Sequence, residues 1–160
     1  MRLAILSDIH DNIWALDRAL QRAADSDGLL LLGDLCAPFT MAMIVERFAG
    51  PIHLVWGNND GDRLQIGEQA RRGNVTLHGE FADLTLDGRR IALTHYPHIG
   101  RAIARSGDYD LVCHGHNHRR GLSEVGATLL LNPGEVMGRF GVSSMALYDT
   151  VVRQAEIVEL

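Results

Sequence analysis

Short apolar segments that each end in an Asp, Asn or His side chain recur along this chain and constrain its fold more than any other feature. None of these segments has helical periodicity, and each is only three to six residues long. Such runs are typical of strands buried on both faces of a parallel sheet. The first three runs, with the polar residues that follow them, are 2–7 with Asp8 and His10, 28–32 with Asp34, and 52–56 with Asn58.

Amphipathic segments separate these runs, and short strands dominate the second half of the chain. Helices are predicted over 12–24, 40–48 (with Thr40 as its N-cap), 61–72 and 99–105. Further strands are predicted over 75–78, 81–86, 90–95, 111–113, 127–131, 143–148 and 151–158, with a hairpin at Asp87-Gly88. Together these elements predict an α/β fold: a four-layer α/β/β/α sandwich of two mixed β-sheets flanked by helices, with residues 1–160 forming one domain.

Composition excludes several classes of protein. A hydrophobic content of 46% argues against disorder, and a formal net charge of −5 argues against bulk nucleic-acid or anionic-membrane binding. All 15 basic residues are arginine, so mechanisms that need a lysine are excluded. No apolar stretch approaches a membrane span, and Cys36 and Cys113 are expected to be reduced. The sequence therefore predicts a cytoplasmic protein.

Further His residues follow two later runs, so the polar strand ends form a set with metal-binding chemistry. In α/β sheets the functional crevice lies beyond the carboxyl ends of the strands, where residues distant in sequence meet. Seven oxygen and nitrogen ligands exceed the four of a tetrahedral zinc site and indicate two cations bridged by a carboxylate. The mixed donors favour Mn²⁺, with Fe, Zn²⁺, Ni²⁺ or Mg²⁺ as alternatives. The seven candidate ligands are Asp8, His10, Asp34, Asn58, His95, His116 and His118.

The order and spacing of these residues resemble the calcineurin-like metallophosphoesterases, especially their small single-domain bacterial and archaeal phosphodiesterases. The resemblance rests on Asp8-Ile9-His10, Gly33-Asp34, Gly57-Asn58-Asn59-Asp60, His95 and Gly115-His116-Asn117-His118. It implies that one metal is held by Asp8, His10, Asp34 and His118, and the other by Asp34, Asn58, His95 and His116. Asp34 would then bridge the metals, and a hydroxide between them would attack phosphorus in line.

This resemblance implies a dinuclear metal-dependent phosphodiesterase that hydrolyses small or nucleotide-like phosphodiesters. A phosphomonoesterase or a nucleoside polyphosphate hydrolase on the same metals is the first alternative. A protein-binding scaffold is the second, because the fold serves the eukaryotic retromer in that role. Relatives often form homodimers or tetramers, so a homo-oligomer is a further expectation.

Four positions near the motifs depart from the family pattern or extend it. Asn59 stands where many relatives have a proton-donating histidine, and it is predicted to contact substrate without acting as an acid. His98 is a candidate catalytic and substrate-binding residue, with an exposed loop histidine as the alternative. Arg119 is a candidate phosphate ligand, with a solvated turn as the alternative. Glu135, after Asn132-Pro133-Gly134, is interpreted as part of a structural shaping loop. His53 and His78 are interpreted as structural.

Overall fold

Eleven strands and four helices make up the computed structural model, which describes residues 1–160. The strands are β1 (Arg2–Leu6), β2 (Gly28–Leu31), β3 (Ile52–Leu54), β4 (Val75–Leu77), β5 (Phe81–Leu86), β6 (Arg89–Thr94), β7 (Leu111–Cys113), β8 (Gly121–Val125), β9 (Thr128–Asn132), β10 (Ser144–Asp149) and β11 (Gln154–Glu159). The helices are α1 (Ile13–Ala23), α2 (Pro38–Arg47), α3 (Arg63–Ala70) and α4 (Pro97–Ala104). None of these helices is long and apolar enough to cross a membrane.

Two mixed sheets organise the molecule. The first has the strand order β11-β10-β1-β2-β3-β4, and the second has the order β5-β6-β7-β9-β8. Strands β1 to β4 run parallel to one another, as do β6, β7 and β9, while the hairpin strands at the sheet edges are antiparallel. The parallel strands therefore direct their carboxyl ends to a common edge of each sheet.

The alternation of side chains along the strands builds the four layers. In β1, Ala4 and Leu6 face the cluster that also contains the buried side chains of α1, α2 and α3. Leu3 and Ile5 point the other way, into a cluster shared with second-sheet residues such as Leu93. Helix α4 covers the outer face of the second sheet through a small cluster of its own. The predicted α/β/β/α sandwich is confirmed.

Several element boundaries differ from the sequence prediction for local reasons. Helix α2 begins at Pro38, which suits the first helical position, and Thr40 is not its cap. The Thr40 hydroxyl instead donates to Asp11 Oδ1 at 2.6 Å. Helix α4 begins at Pro97 for the same reason, and β11 begins at Gln154 because residues 151–153 form the turn after β10.

Strand β8 was not predicted as a strand at all. Its side chains are exposed or only partly buried, and β9 alone pairs with it. An exposed edge strand has no buried face, so it lacks the apolar alternation that identifies strands in sequence. The two cysteines are both free, as expected, and Cys113 is buried.

His53 on β3 and His78 after β4 form the structural pair that the sequence suggested. His53 Nδ1 and His78 Nε2 are 2.9 Å apart, so one ring donates a hydrogen bond to the other. Burial, and for His53 also the neighbouring His78, lowers the pKa of both rings below the ordinary value of 6.5. The folded pair therefore prefers the neutral state.

We expect this pair to make the protein less stable in mild acid. Because the folded-state pKa values lie below 6.5, the unfolded chain binds more protons as the pH falls through that value, and unfolding becomes easier. In a His53→Gln, His78→Gln double variant, the free energy of unfolding should fall less steeply between about pH 7.5 and 5. Urea denaturation of both proteins across this range measures the difference. Parallel curves for the two proteins would contradict this account.

Candidate metal centre

Five strands of the two sheets end at one shared edge, and the candidate ligands follow them there. In the first sheet, β1 leads into Asp8 and His10, β2 into Asp34 and β3 into Asn58. In the second sheet, β6 leads directly into His95 and β7 into the 114–118 loop that carries His116 and His118. All seven ligands predicted from the sequence meet at this edge, in two adjoining groups.

The first group surrounds the carboxylate of Asp8. Asp8 Oδ1 is 3.4 Å from His118 Nε2 and 3.8 Å from His10 Nε2. Asp34 Oδ2 lies 3.5 Å from the same nitrogen of His10. The other oxygen of Asp8 accepts hydrogen bonds from the Ser7 hydroxyl at 2.6 Å and the His116 amide at 3.0 Å. These bonds orient the carboxylate so that Oδ1 faces the histidines.

The second group surrounds the buried ring of His95. His95 Nε2 lies 3.1 Å from Asn58 Oδ1, 3.2 Å from His116 Nδ1 and 3.4 Å from Asp34 Oδ2. The opposite nitrogen, Nδ1, donates to the Leu32 carbonyl at 2.7 Å. This bond leaves Nε2 with a free lone pair directed at the group.

The separations and the unpaired atoms of both groups fit divalent cations. Two atoms that ligate one cation at about 2.1 Å lie roughly 3.0–3.4 Å apart in tetrahedral or octahedral geometry. Asp8 Oδ1 and His10 Nε2 are buried and have no hydrogen-bond partner, which is costly unless a ligand satisfies them. The carboxylate of Asp8, followed by the Cys36 thiol, raises the pKa of His10 to about 10. The same carboxylates would attract a metal cation in place of that proton.

Asp34 lies between the two groups and is clamped by Asn59. The Asn59 amide N–H donates to Asp34 Oδ1 and its side-chain Nδ2 donates to Oδ2, both at 2.8 Å. Burial opposes ionisation of Asp34, but hydrogen bonds from His95 and Asn59 outweigh it, and the pKa of Asp34 lies well below its usual range. Asn59, predicted from the sequence to contact substrate, therefore holds the carboxylate that touches both groups.

Asp60 joins two of the ligand loops. Its Oδ1 accepts from the amides of Leu35 and Cys36 at 2.9 and 3.1 Å, and its Oδ2 accepts from Gly57 at 2.7 Å and Asp34 at 3.1 Å. One buried carboxylate thus satisfies four backbone donors of the loops after β2 and β3. The sequence motif contained Asp60, but only the structure shows this task.

Five of the ligands have an unusual backbone conformation. Asp8, His10, Asp34, His116 and His118 have φ values between 44° and 71°, in the left-handed region that non-glycine residues rarely occupy. Each such residue costs on the order of 1 kcal/mol relative to ordinary backbone. Strained residues of this kind concentrate at functional sites, because the conformation turns side chains toward a common centre.

Glu135, interpreted from the sequence only as part of a shaping loop, contacts one of the candidate ligands. Its side chain is 1% exposed. Its Oε2 lies 2.7 Å from His118 Nδ1, and its Oε1 accepts the Phe140 amide at 2.6 Å. The carboxylate thus fixes the ring of His118 with Nε2 toward Asp8. Its position in the sequence could have indicated this contact, since Glu135 follows β9 as the candidate ligands follow their own strands.

Replacing Glu135 with Gln should weaken metal binding by about 10- to 100-fold, the usual effect of removing a carboxylate that orients a histidine ligand. Calorimetric titration of Mn²⁺ into the metal-stripped protein measures this change. Glu124→Gln, an exposed position on β8, is the matched control. Equal affinities for the wild type and Glu135→Gln would show that this carboxylate only supports the loop.

The remaining two candidates, His98 and Arg119, lie outside the two ligand groups. His98 is exposed in the first turn of α4, and its ring packs against Tyr96, whose ring also contacts His116. It is a helical residue and not part of a loop, and it forms no hydrogen bond, so its catalytic role stays a prediction. Arg119 is exposed, its backbone amide donates to Asn117 Oδ1 at 3.1 Å, and its guanidinium is unpaired. Its role as a phosphate ligand also stays a prediction.

Comparisons with known proteins identify the family of this chain. Residues 1–152 match the model of the calcineurin-like phosphoesterase superfamily domain. Phosphodiesterase MJ0936 of Methanocaldococcus jannaschii is 29% identical over 157 residues, covering 94% of this chain and 93% of the relative. A solved structure of a novel archaeal phosphodiesterase superposes with a TM-score of 0.93 at 27% identity, with full coverage of both chains.

A more distant solved structure shares the fold. Vps29 of Entamoeba histolytica, solved in complex with Zn²⁺, gives a TM-score of 0.68 at 18% identity and covers 100% of this chain and 98% of its own. Identity this low shows the fold alone. The family model, in contrast, matches nearly the whole chain and therefore establishes the family. Members of this family use divalent metal ions, which the candidate ligands described above are suited to bind. The chain belongs to the calcineurin-like phosphoesterase superfamily and is a metal-dependent phosphoesterase.

Proposed function

We propose that this protein is a dinuclear phosphodiesterase that hydrolyses small or nucleotide-like phosphodiesters. The observation that carries the proposal is the position of Asp34, whose Oδ2 lies 3.5 Å from His10 Nε2 and 3.4 Å from His95 Nε2. A carboxylate shared by two ligand groups is suited to bridge two cations. The name of the relative MJ0936, a phosphodiesterase, supports the choice of a diester as substrate.

The chemistry divides between the metals and the side chains of this chain. Two divalent cations, when bound, supply an activated water and neutralise charge on the phosphoryl oxygens. Asp8, His10, Asp34 and His118 would hold one cation, and Asp34, Asn58, His95 and His116 the other. Asn58 and His116 are exposed whereas Asp8 and His95 are buried, so the substrate phosphate approaches from the side of Asn58 and His116. Oxygen and imidazole ligands of this kind suit Mn²⁺.

Asn59 limits which leaving groups the enzyme can use. An amide cannot protonate a departing oxygen, and both Asn59 nitrogens already donate to Asp34. His98, whose ring packs against Tyr96 beside His116, is proposed to contact the substrate but not to replace the missing acid at position 59. Without a stronger acid near the metals, the enzyme should prefer esters whose leaving groups are weak bases.

We expect Asn59→His to reduce the dependence of the rate on the leaving group. In the wild type, kcat/KM should fall steeply as the pKa of the leaving phenol rises, whereas an imidazole at position 59 would protonate poorer leaving groups. A series of substituted aryl methyl phosphates measures the slope for each protein. Asn59→Ala, which loses the side-chain bond to Asp34 without adding an acid, is the control. Identical slopes for the wild type and Asn59→His would refute the assignment.

The test of the proposed function is metal-dependent hydrolysis of a matched pair of substrates. The protein is stripped with a chelator, reloaded separately with Mn²⁺, Zn²⁺, Ni²⁺ or Mg²⁺, and assayed on bis(4-nitrophenyl) phosphate and 4-nitrophenyl phosphate. Preferential turnover of the diester, strictly dependent on metal, is the expected result. Dominant turnover of the monoester would assign a phosphomonoesterase. Metal binding without turnover of either ester would favour a protein-binding scaffold.

A further inference from the structure

A polar cavity adjoins the loop that carries two of the candidate metal ligands. It has a volume of about 230 Å³ and lies between α4, the 114–119 loop, β8 and β9. Asn117, which separates His116 from His118 in sequence, lines this cavity, while the two histidines face the metal centre. A group bound in the cavity would therefore lie beside a substrate held at the metals.

The charges that line this cavity have one sign. Arg101 from α4 and Arg119 from the loop both contribute to it, and none of the nine lining residues is acidic. Neither guanidinium forms an ion pair with a carboxylate of this chain. In a protein of net charge −5, two unpaired guanidinium groups on one small cavity indicate an anionic ligand.

The floor of the cavity offers donors as well. His114 and Asn132 are 7% and 3% exposed. Asn132 Nδ2 donates to Asn117 Oδ1 at 2.7 Å and to the Gly115 carbonyl at 3.2 Å, and His114 Nδ1 lies 3.3 Å from the same carbonyl. Because the side-chain oxygen of Asn117 accepts from Asn132, the amide hydrogens of Asn117 have no partner inside the protein. They are available to donate to a ligand in the cavity.

We propose that this arginine cavity, formed by Arg101, Arg119, His114 and Asn117, binds a phosphate group. Two guanidinium groups and the Asn117 amide suit the charge and the several oxygens of a phosphate dianion, whereas one guanidinium suffices for a carboxylate. This inference rests on the proposed function when the phosphate belongs to the substrate, in which case the preferred substrates are diesters with an additional terminal phosphate. A free inorganic phosphate is the other source of the same chemistry.

Kinetics on a matched pair of dinucleotides tests the substrate as the source. The metal-loaded enzyme is assayed on thymidylyl-thymidine with and without a 5′-phosphate. We expect kcat/KM to be about tenfold higher for the phosphorylated form, and Arg101→Met to reduce this ratio to about one. Arg105→Met, at the exposed C-terminal end of the same helix and outside the cavity, should preserve the ratio. A ratio near one in the wild type excludes the substrate as the source.

A binding measurement tests whether the cavity binds an anion and does not depend on catalysis. Sulfate, a tetrahedral dianion, is titrated into the zinc-loaded protein while the amide resonances of Asn117, Arg119 and the Asn132 side chain are followed by NMR. Saturable shifts that disappear in Arg101→Met support the phosphate cavity, with free anion as its ligand if the dinucleotide ratio is one. Absence of such shifts in the wild type overturns the proposal. An enzyme that cleaves neither dinucleotide would refute only the proposed function, because the sulfate titration still decides the cavity.

Discussion

Asp34→Asn should lower the turnover of bis(4-nitrophenyl) phosphate by a factor on the order of 1000. The Oδ2 atom of Asp34 touches both ligand groups, so this substitution removes a negative charge from both groups at once. No other residue of the site has contacts of this kind with both His10 and His95. The loss should appear mainly in kcat at saturating Mn²⁺, and calorimetry should show fewer than two bound metals per chain.

A matched control separates this effect from a general loss of charge. Asp25→Asn changes an exposed carboxylate far from the strand ends and should leave turnover unchanged. The assignment of Asp34 as the shared ligand fails if Asp34→Asn keeps two metals and more than about a tenth of the activity.

Gly33→Ala should destabilise the protein by about 3 kcal/mol or more, which corresponds to a fall in Tm of roughly 6–12 °C for a chain of this size. Gly33 has a φ of +89°, and a methyl group there would overlap the backbone of Trp56 and Gly57 in the neighbouring loop. Backbone atoms cannot rotate aside as a side chain can, so the loops after β2 and β3 would have to separate. Differential scanning calorimetry measures the change.

Gly88→Ala provides the comparison for this prediction. Gly88 in the β5–β6 hairpin also has a positive φ of +73°, but no atom lies within 4 Å of the position of an added methyl group. This variant should therefore cost only about 1 kcal/mol, from backbone strain alone. Equal falls in Tm for the two variants would mean that the close approach of the loops contributes nothing.

The ligands of the metal centre could be found from the sequence because they obey a rule of local pattern. Each parallel strand is an apolar run, and its carboxyl end is marked by the first polar residues that follow it. Asp8, Asp34, Asn58 and His95 were identified in this way, and the 3D arrangement brings them within a few ångströms of one another. The hairpin at Asp87-Gly88 could be predicted for the same reason, because it also depends on a local pattern.

Features that depend on contacts between distant segments could not be predicted from the sequence. Strand β8 has no buried face, so only its pairing with β9 identifies it as a strand. Thr40 had the character of a helix cap but bonds to Asp11 from another loop. The hydrogen bond between Glu135 and His118 joins residues 17 positions apart in sequence. Arg101 and Arg119, which line the same cavity, are 18 positions apart.

The sequence alone determined the four-layer fold, the seven candidate ligands and the absence of lysine chemistry, because burial and strand ends leave a pattern in residue order. Only the tertiary structure decided that Asn59, Asp60 and Glu135 hold loops and ligands in place. The same is true of the two unpaired arginines, which line one cavity. The physical reason is that a hydrogen bond or an ion pair depends on which atoms approach one another in space. The order of residues shows this only where both partners lie in one local element.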